Sequence, residues 1–377
     1  MNVMNNYDII IIGAGLSGLN LAAELSKKTT KSILILEKKK KFFFDKNWCF
    51  WSQPNNPFTS KYDNQWENIA VKIDGKEIVY NEKNIKYLRI KSSTFYAKIS
   101  KELKQKKIEI KMNQNIEKIV NTINGHTIIS NKKQYKTKII FDSRPGCNKE
   151  EKGYLYQHFY GMEVNFKNAL LDNKKVMLMD FQNFQNGINF IYVLPFSKKK
   201  ALFETTYFSS KILGEEEYKN DIKNYLKTNY PNKDFSLKFI EKGVIPMFFK
   251  KRIKSSSLIK IGTPANWVRI STGYSFQNSF ANSKEIVKKL INKKELKIKK
   301  NIISDFLDLT FCFYIKNYSE DSKQFFKCFF YKNNFKNIVS FLVGTASFIQ
   351  VLRIILTLPK VKLIVSAFNI LKESLVK

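Results

Sequence analysis

The sequence predicts an α/β fold, and three observations carry that reading. Tyr7 to Ile12 ends in four consecutive isoleucines, the pattern of a parallel strand buried on both faces. A glycine-rich loop follows at once, and Leu19 to Lys28 then has helical periodicity. Ser32 to Leu36 (SILIL) is a second buried-type strand, and Glu37 closes it. Strand, loop, helix, strand and acid in that order make a Rossmann-type dinucleotide-binding unit.

The loop reads Gly13-Ala14-Gly15-Leu16-Ser17-Gly18, and Glu37 stands nineteen residues beyond Gly18. Gly13 permits the tight turn, Gly15 lets backbone amides approach a pyrophosphate, and Gly18 lets helix and strand pack closely. The amides at the start of the helix then face the phosphates. Glu37, followed by Lys38, is placed to accept hydrogen bonds from a ribose hydroxyl. A carboxylate there repels a 2′-phosphate, which argues against NADP. A lone motif of this kind is often a glycine turn that binds nothing; here strand, helix and acid are all in register.

The loop does not separate FAD from NAD. A later segment favours FAD: Leu258 to Gly262 (LIKIG) resumes the buried-strand style and runs into Thr263, Trp267 and Ser271-Thr272-Gly273-Tyr274 before a helix over Asn282 to Lys294. Flavoproteins of this type return late in sequence to cover the isoalloxazine. Gly262, Thr263, Thr272, Gly273 and Tyr274 therefore join the cofactor set.

Between these segments, residues 60–140 alternate short apolar stretches with polar turns, including Asp74-Gly75, and predict hairpins. Lys91 to Gln105 has helical spacing, with Ser92 or Ser93 as N-cap. Lys138 to Phe141 (KIIF) is a strand returning to the first sheet. It ends in Asp142-Ser143-Arg144-Pro145-Gly146, where Asp142 joins the cofactor set or simply caps the turn. Longer strands follow from about 150 to 250 (YQHFYGMEVNF, KVMLMDF, INFIYVLPF, ALFETTYFS) and predict an antiparallel substrate-side sheet. The predicted organisation is a cofactor domain over 1–150 with 251–290 returning to it, a sheet domain over 151–250, and a helical region over 291–377.

The formal charge is +34, which attracts polyanions and anionic lipid. Only five of the 66 basic residues are Arg (Arg89, Arg144, Arg252, Arg269, Arg353), and the Lys are scattered, in keeping with AT-rich coding. Nucleic-acid readers lean on clustered Arg forks, so a nucleic-acid partner is not predicted. Cys49, Cys147, Cys312 and Cys328 lie far apart, which signals neither zinc nor a disulfide framework and fits a reducing cytoplasm. His126 and His158 are too few and too separate for a metal site.

Several segments together resemble bacterial lycopene β-cyclases, the flavoprotein carotenoid enzymes: GAGLSGL, DKNWCFW (Asp45 to Trp51), FDSRP (Phe141 to Pro145), QHFYGMEV (Gln157 to Val164), FIYVLPFS (Phe190 to Ser197), FETTYFS (Phe203 to Ser209), IPM (Ile245 to Met247) and STGYSF (Ser271 to Phe276). Their order spans most of the chain. The resemblance implies an aromatic-hydroxylase-like flavoprotein fold, in which the FAD domain is interleaved with a substrate-binding sheet. It implies proton-initiated closure of the ψ-ends of lycopene, or a related acyclic carotenoid, to β-rings. FAD is needed reduced, NAD(P)H is an indirect reductant, and there is no net redox change. A different lipid-directed FAD oxidoreductase, such as an isoprenoid reductase or a monooxygenase, is the alternative.

The acidic motif of that family falls on Glu204. Strand alternation puts Leu202, Glu204, Thr206 and Phe208 on one face and Ala201, Phe203, Thr205 and Tyr207 on the other, both largely apolar. A carboxyl buried there is held protonated by desolvation and can donate to an alkene. The bland alternative is a strand glutamate in solvent or paired with Lys. Asp45, Asp180 and Thr205 are further pocket candidates, with a solvated turn as the alternative for Asp45 and a surface ion pair for Asp180. Trp48, Trp51, Tyr192 and Tyr207 are candidate lining residues, since aromatic faces stabilise a carbocation without reacting; AT-rich coding also inflates Phe and Tyr.

The C-terminal run Ile338 to Leu358 is apolar but carries Gln350 and Arg353. It reads as a membrane-dipping surface with surrounding Lys on anionic lipid. A spanning helix and a buried core helix are the alternatives. The expected location is cytoplasmic and peripheral to the membrane.

Overall fold

The structure is a computed structural model, and it describes residues 5–52, 58–145, 154–250, 255, 257–298 and 301–375. Gly146, Cys147 and Arg252 lie outside the described residues. Its first sheet is built on the isoleucine run. The strand Asn5–Ile12 lies between Ile33–Leu36 and Lys133–Asp142, parallel to both, with Glu109–Lys111 beyond the former and Leu258–Lys260 beside the latter. Ile9, Ile10 and Ile11 are fully buried, as a central parallel strand requires. A hairpin, Ile116–Thr122 and Gly125–Ser130, adds an antiparallel flank. The helix Leu16–Lys28 begins three residues earlier than its periodicity predicts, immediately after Gly15.

A second sheet of seven strands runs in the order Phe235–Pro246, Tyr156–Phe166, Lys200–Ser209, Ile188–Pro195, Lys175–Phe181, Asn68–Ile73, Lys76–Asn81. It is antiparallel except where Lys175–Phe181 runs parallel to Asn68–Ile73. The last two strands fall inside the segment read as part of the cofactor domain, so chain from before residue 150 completes the substrate-side sheet. Asp74 and Gly75, both at positive φ, make the tight turn joining them. A small sheet of Asn47–Trp51, Tyr87–Lys91 and Asn64–Trp66 links the two large ones. Lys91 rather than a serine precedes the helix Ser92–Gln105; the Ser92 hydroxyl instead accepts from the backbone amides of Asp45 and Lys46.

The helix after the late return runs over Phe276–Ile291, and five more, Ile302–Asn317, Ser322–Tyr331, Phe335–Leu342, Phe348–Thr357 and Lys360–Leu375, form the C-terminal part. The apolar run 338–358 is not one helix. Gly344 sits at φ +76°, and Ser347 with Gln350 forms a capping box that starts a new helix. Among the described residues no helix is long and apolar enough to cross a membrane.

Arg269 ties this helical part to the rest of the chain. Its guanidinium donates to both carboxylate oxygens of Asp308 at 3.0–3.1 Å and to the carbonyls of Phe341 and Leu342. Ser271 donates to the same carboxylate at 2.8 Å. Asp308 is buried, so removing Arg269 strands a charge and two carbonyls in a dry place. Breaking a buried pair from one side costs about 3–5 kcal/mol. Arg269→Ala is therefore expected to lower the thermal midpoint by several degrees and to expose the C-terminal helices to protease first, measured by a melting curve and limited proteolysis.

Candidate active site

One cavity of about 1310 Å³ reaches from the glycine loop to the C-terminal helices. Ordinary ligand pockets hold roughly 300–1,000 Å³, so this one has room for more than one molecule. Its first end is the loop. Gly13 is at φ +95°, and a Cβ there would meet Ser143 Oγ at 2.3 Å; a Cβ on Gly18 would stand 2.0 Å from the Gly13 carbonyl oxygen. At Gly15, by contrast, a Cβ would meet nothing within 4 Å: the space above it belongs to the cavity. The Glu37 carboxylate accepts from the backbone amides of Ala14 (2.5 Å) and Lys39 (2.9 Å), which holds loop and second strand together and leaves further lone pairs for a ligand hydroxyl. These residues fit a dinucleotide.

Leu16, Ser17, Lys38, Gly262, Thr263, Thr272, Gly273 and Tyr274 line the same cavity. Gly273, at φ +71°, lies against Gln157, whose buried Oε1 has no hydrogen-bond partner among the described residues. A group bound here would meet an unused acceptor. Gln157 opens the strand Tyr156–Phe166, and four residues on is Gly161.

Gly161 is the centre of the second end. It is register partner to Glu204 on one neighbouring strand and to Glu241 on the other. Having no side chain, it leaves room in which the two carboxyl groups share a hydrogen bond; a Cβ would meet Glu241 Cγ at 3.2 Å and Glu204 Oε2 at 3.4 Å. Both glutamates line the cavity. Their other partners differ. Glu204 Oε1 accepts from the Thr206 hydroxyl, at 3.1 Å. Glu241 Oε2 accepts from the backbone amide and the side-chain amide of Asn47, each at 2.9 Å. The Asn47 carbonyl in turn accepts from Arg89 Nε at 2.6 Å.

Burial, followed by the charge of Glu241, holds the Glu204 carboxyl well above the usual carboxylate range, with the Thr206 hydroxyl acting against them. Burial also pushes Glu241 up, but the two Asn47 hydrogen bonds and the Arg89 charge restrain it to about 7. Two carboxyls this close do not both ionise readily, and the one with donors and a cation behind it keeps the charge. The proton belongs to Glu204.

The other predicted residues divide by strand alternation. Glu204, Thr206 and Phe208 face the cavity, as does Tyr192, the register partner of Glu204. Thr205 and Tyr207 do not: both donate to Asp221 on the helix Glu215–Asn229 (3.2 and 2.6 Å), behind the sheet. Asp180 also faces that side, accepting from Tyr225 at 2.8 Å and pairing with Lys72 at 3.4 Å, because an irregularity between Met177 and Asp180 gives the cavity Leu178 and Met179 instead. Trp48 lines the cavity, whereas Trp51 is packed in the core and donates to Tyr274 at 3.3 Å. Asp45 lines the cavity in a cage of Lys39 (2.5 Å) and Tyr96 (3.2 Å), away from the glutamates; burial raises its carboxyl, but Lys39, Ser92 and Lys46 outweigh burial and lower it. Asp142 does not touch the cavity. It is fully buried against Arg144 (2.8 Å) and Lys260 (2.7 Å), clamping the strand end.

Glu241, Asn47 and Arg89 were not singled out from the sequence. Glu241 lies in KFIEKGVIPM, where Lys238 and Lys242 make it read as surface; an Arg between the apolar residues Leu88 and Ile90 was the available signal.

A lycopene cyclase protein family profile matches residues 8–367. The chain belongs to the lycopene cyclase family. A neoxanthin synthase of Solanum lycopersicum is 25% identical over 308 residues, and the match covers 73% of this chain and 58% of that relative's length. Among solved structures, a geranylgeranyl bacteriochlorophyll reductase-like protein from Thermoplasma acidophilum has a TM-score of 0.68 at 14% identity, covering 94% of this chain and 96% of the other. A flavoprotein/dehydrogenase from Cytophaga hutchinsonii scores 0.62 at 13% (90% and 93%), and the flavin-dependent brominase Bmp2 scores 0.60 at 12% (90% and 94%). At such identities these likenesses show the fold: an α/β flavoprotein fold with a helical C-terminus.

The glycines give a paired expectation. Gly15→Ala should melt close to the parent yet retain no flavin absorbance after loading with FAD, because its methyl fills the cavity rather than the protein. Gly18→Ala should lower the melting temperature itself, since no Cβ fits beside the Gly13 carbonyl.

Proposed function

We propose that this family member is a lycopene β-cyclase, which closes the ψ-ends of lycopene, or a related acyclic carotenoid, to β-rings in a flavin-dependent reaction without net redox change. The observation that carries this reading is Glu204, set beside Glu241 and facing an apolar cavity continuous with a dinucleotide loop. A linear polyene offers no heteroatom, so its cyclisation needs a proton held ready beside an apolar site, and desolvation next to a second carboxyl keeps Glu204 protonated near neutrality. Leu194, Phe190, Phe208 and Phe311 give the cavity its hydrocarbon lining. The faces of Trp48 and Tyr192 are available to a cation.

Gly13, Gly15 and the first turn of Leu16–Lys28 would hold the pyrophosphate of FAD, Glu37 a ribose hydroxyl, and Gly262, Thr263, Thr272, Gly273 and Tyr274 the ring end. Reduced FAD supplies negative charge near a developing carbocation, with NAD(P)H as the indirect source of its electrons.

Expression in a lycopene-accumulating host should yield β-ring products isomeric with lycopene and consume no stoichiometric NADPH. Glu204→Gln should lower cyclisation by at least about 100-fold, the scale of a lost general acid, while keeping flavin absorbance. Stoichiometric NADPH oxidation with a reduced or oxygenated product would instead favour a lipid-directed oxidoreductase, the reading that the reductase-like fold match keeps in view.

The same cavity is lined by Ile355, Leu356, Pro359 and Ile364 from the last two helices. Around that end Phe348, Val361, Ile364 and Phe368 are 65–77% exposed. We propose that these helices lie in the membrane surface, peripheral on the cytoplasmic side, and pass the carotenoid from lipid to cavity. The protein should co-float with vesicles containing anionic lipid, and the double change Phe348→Asp and Phe368→Asp should release it without altering flavin content.

A further inference from the structure

Resting on the cyclase reading, we propose that Glu241 is a second catalytic residue: the base that removes the C6 proton of the closed ring, while Glu204 is the acid that protonates C2. The step balances within the pair. The Glu204 O–H bond breaks as a C–H bond forms at C2, leaving C1 cationic. The C5=C6 π pair then makes the C1–C6 bond and moves the cation to C5. The C6–H bond breaks, its electron pair becomes the new C5=C6 double bond, and the proton goes to the Glu241 carboxylate. The proton returns to Glu204 through the hydrogen bond the two groups share. No oxidant or reductant is consumed, and the product is an isomer of the substrate.

Geometry carries the assignment. C2 and C6 are each bonded to C1, so acid and base must present their oxygens at neighbouring points. Two carboxyls that meet over Gly161, from the two strands flanking its own and on the same face, do so. The partners are asymmetric in the sense the reaction needs. Glu241 starts as the anion, held by both amides of Asn47 with Arg89 behind it. Glu204 starts as the acid, with one hydroxyl as its partner. Return through the pair also needs no water in a cavity lined by Phe190, Leu194 and Phe208. Among the described residues, the other titratable or charged groups facing the pair are Cys49, whose thiol burial pushes up to about 12, Tyr192, held neutral by burial, and Arg89. Near pH 7 the pair is therefore where the site changes its charge.

The test compares FAD-loaded, reduced parent, Glu241→Gln and Glu204→Gln on lycopene in anionic vesicles, reading rate against pH and the position of the ring double bond. In the parent the rate should rise with pH through about 7 as Glu241 ionises. In Glu241→Gln that limb should vanish, the rate should fall at least about 100-fold, and residual product should carry its double bond elsewhere, because the C5 cation then loses a proton from C4 or the methyl. A merely structural role would not move the double bond. Asn47→Ala, which needs no change at either glutamate, should shift the limb to higher pH, since the anion loses a donor and its link to Arg89. Parent-like rate and β-rings in Glu241→Gln overturn the base assignment, as does an unmoved limb in Asn47→Ala. If the flavin-loaded parent forms no cyclic product, the cyclase reading itself fails, and that outcome is distinct from either.

Discussion

A carboxyl pair packed over a glycine at an apolar cavity demands that one member be neutral and the other compensated, and much of the architecture around the cavity answers that demand. Asn47 has to bring both its amides to Glu241, so the strand Asn47–Trp51 must begin where it does. Arg89 has to stand behind Asn47, which places a charged residue between the buried Leu88 and Ile90. Arg89 is itself 1% exposed, and its charge is met by Glu163 at 3.8 Å, by Asn64 and by the face of Phe196 at 3.5 Å. Glu163 is in turn satisfied by Lys200 at 2.6 Å, near the surface. The chain of compensation thus runs from an acid at the cavity outward to solvent, and it crosses all three strands of the small sheet and three of the large one.

The first forty residues were legible because the dinucleotide unit is local: each glycine, the helix and Glu37 follow from positions a few residues apart. The face of Glu204 was legible for a similar reason, since period-two alternation is a property of one strand. Alternation also excludes Thr205 and Tyr207 from that face, and the structure puts them behind the sheet. Asp180 was beyond sequence reach because an irregularity in its strand shifts which side chains face the cavity. Glu241 was hidden differently: its neighbours Lys238 and Lys242 mark a surface strand, and only the register with Gly161, eighty residues away, turns it inward. Non-local pairing decides such positions, and a single sequence does not carry it.

The fold is shared with proteins of quite different chemistry, including a brominase and a reductase-like protein, each about as similar in backbone as the next. What distinguishes this family member is therefore sought in side chains on the second sheet and in the C-terminal helices. Two strands from before residue 82 enter that sheet, so the cofactor half and the substrate half cannot be separated as consecutive pieces of chain. A change in either half is felt in both.

The placement of arginine bears on how such a chain changes over time. Where positive charge is merely solvated, lysine serves, and this chain uses it almost throughout. Arg89 and Arg269 are each read through several N–H donors held in one plane, a geometry that an ammonium group does not reproduce. A drift that exchanges arginine for lysine is neutral on the outside of this molecule and damaging at these two points. They act as fixed posts in a sequence otherwise free to wander.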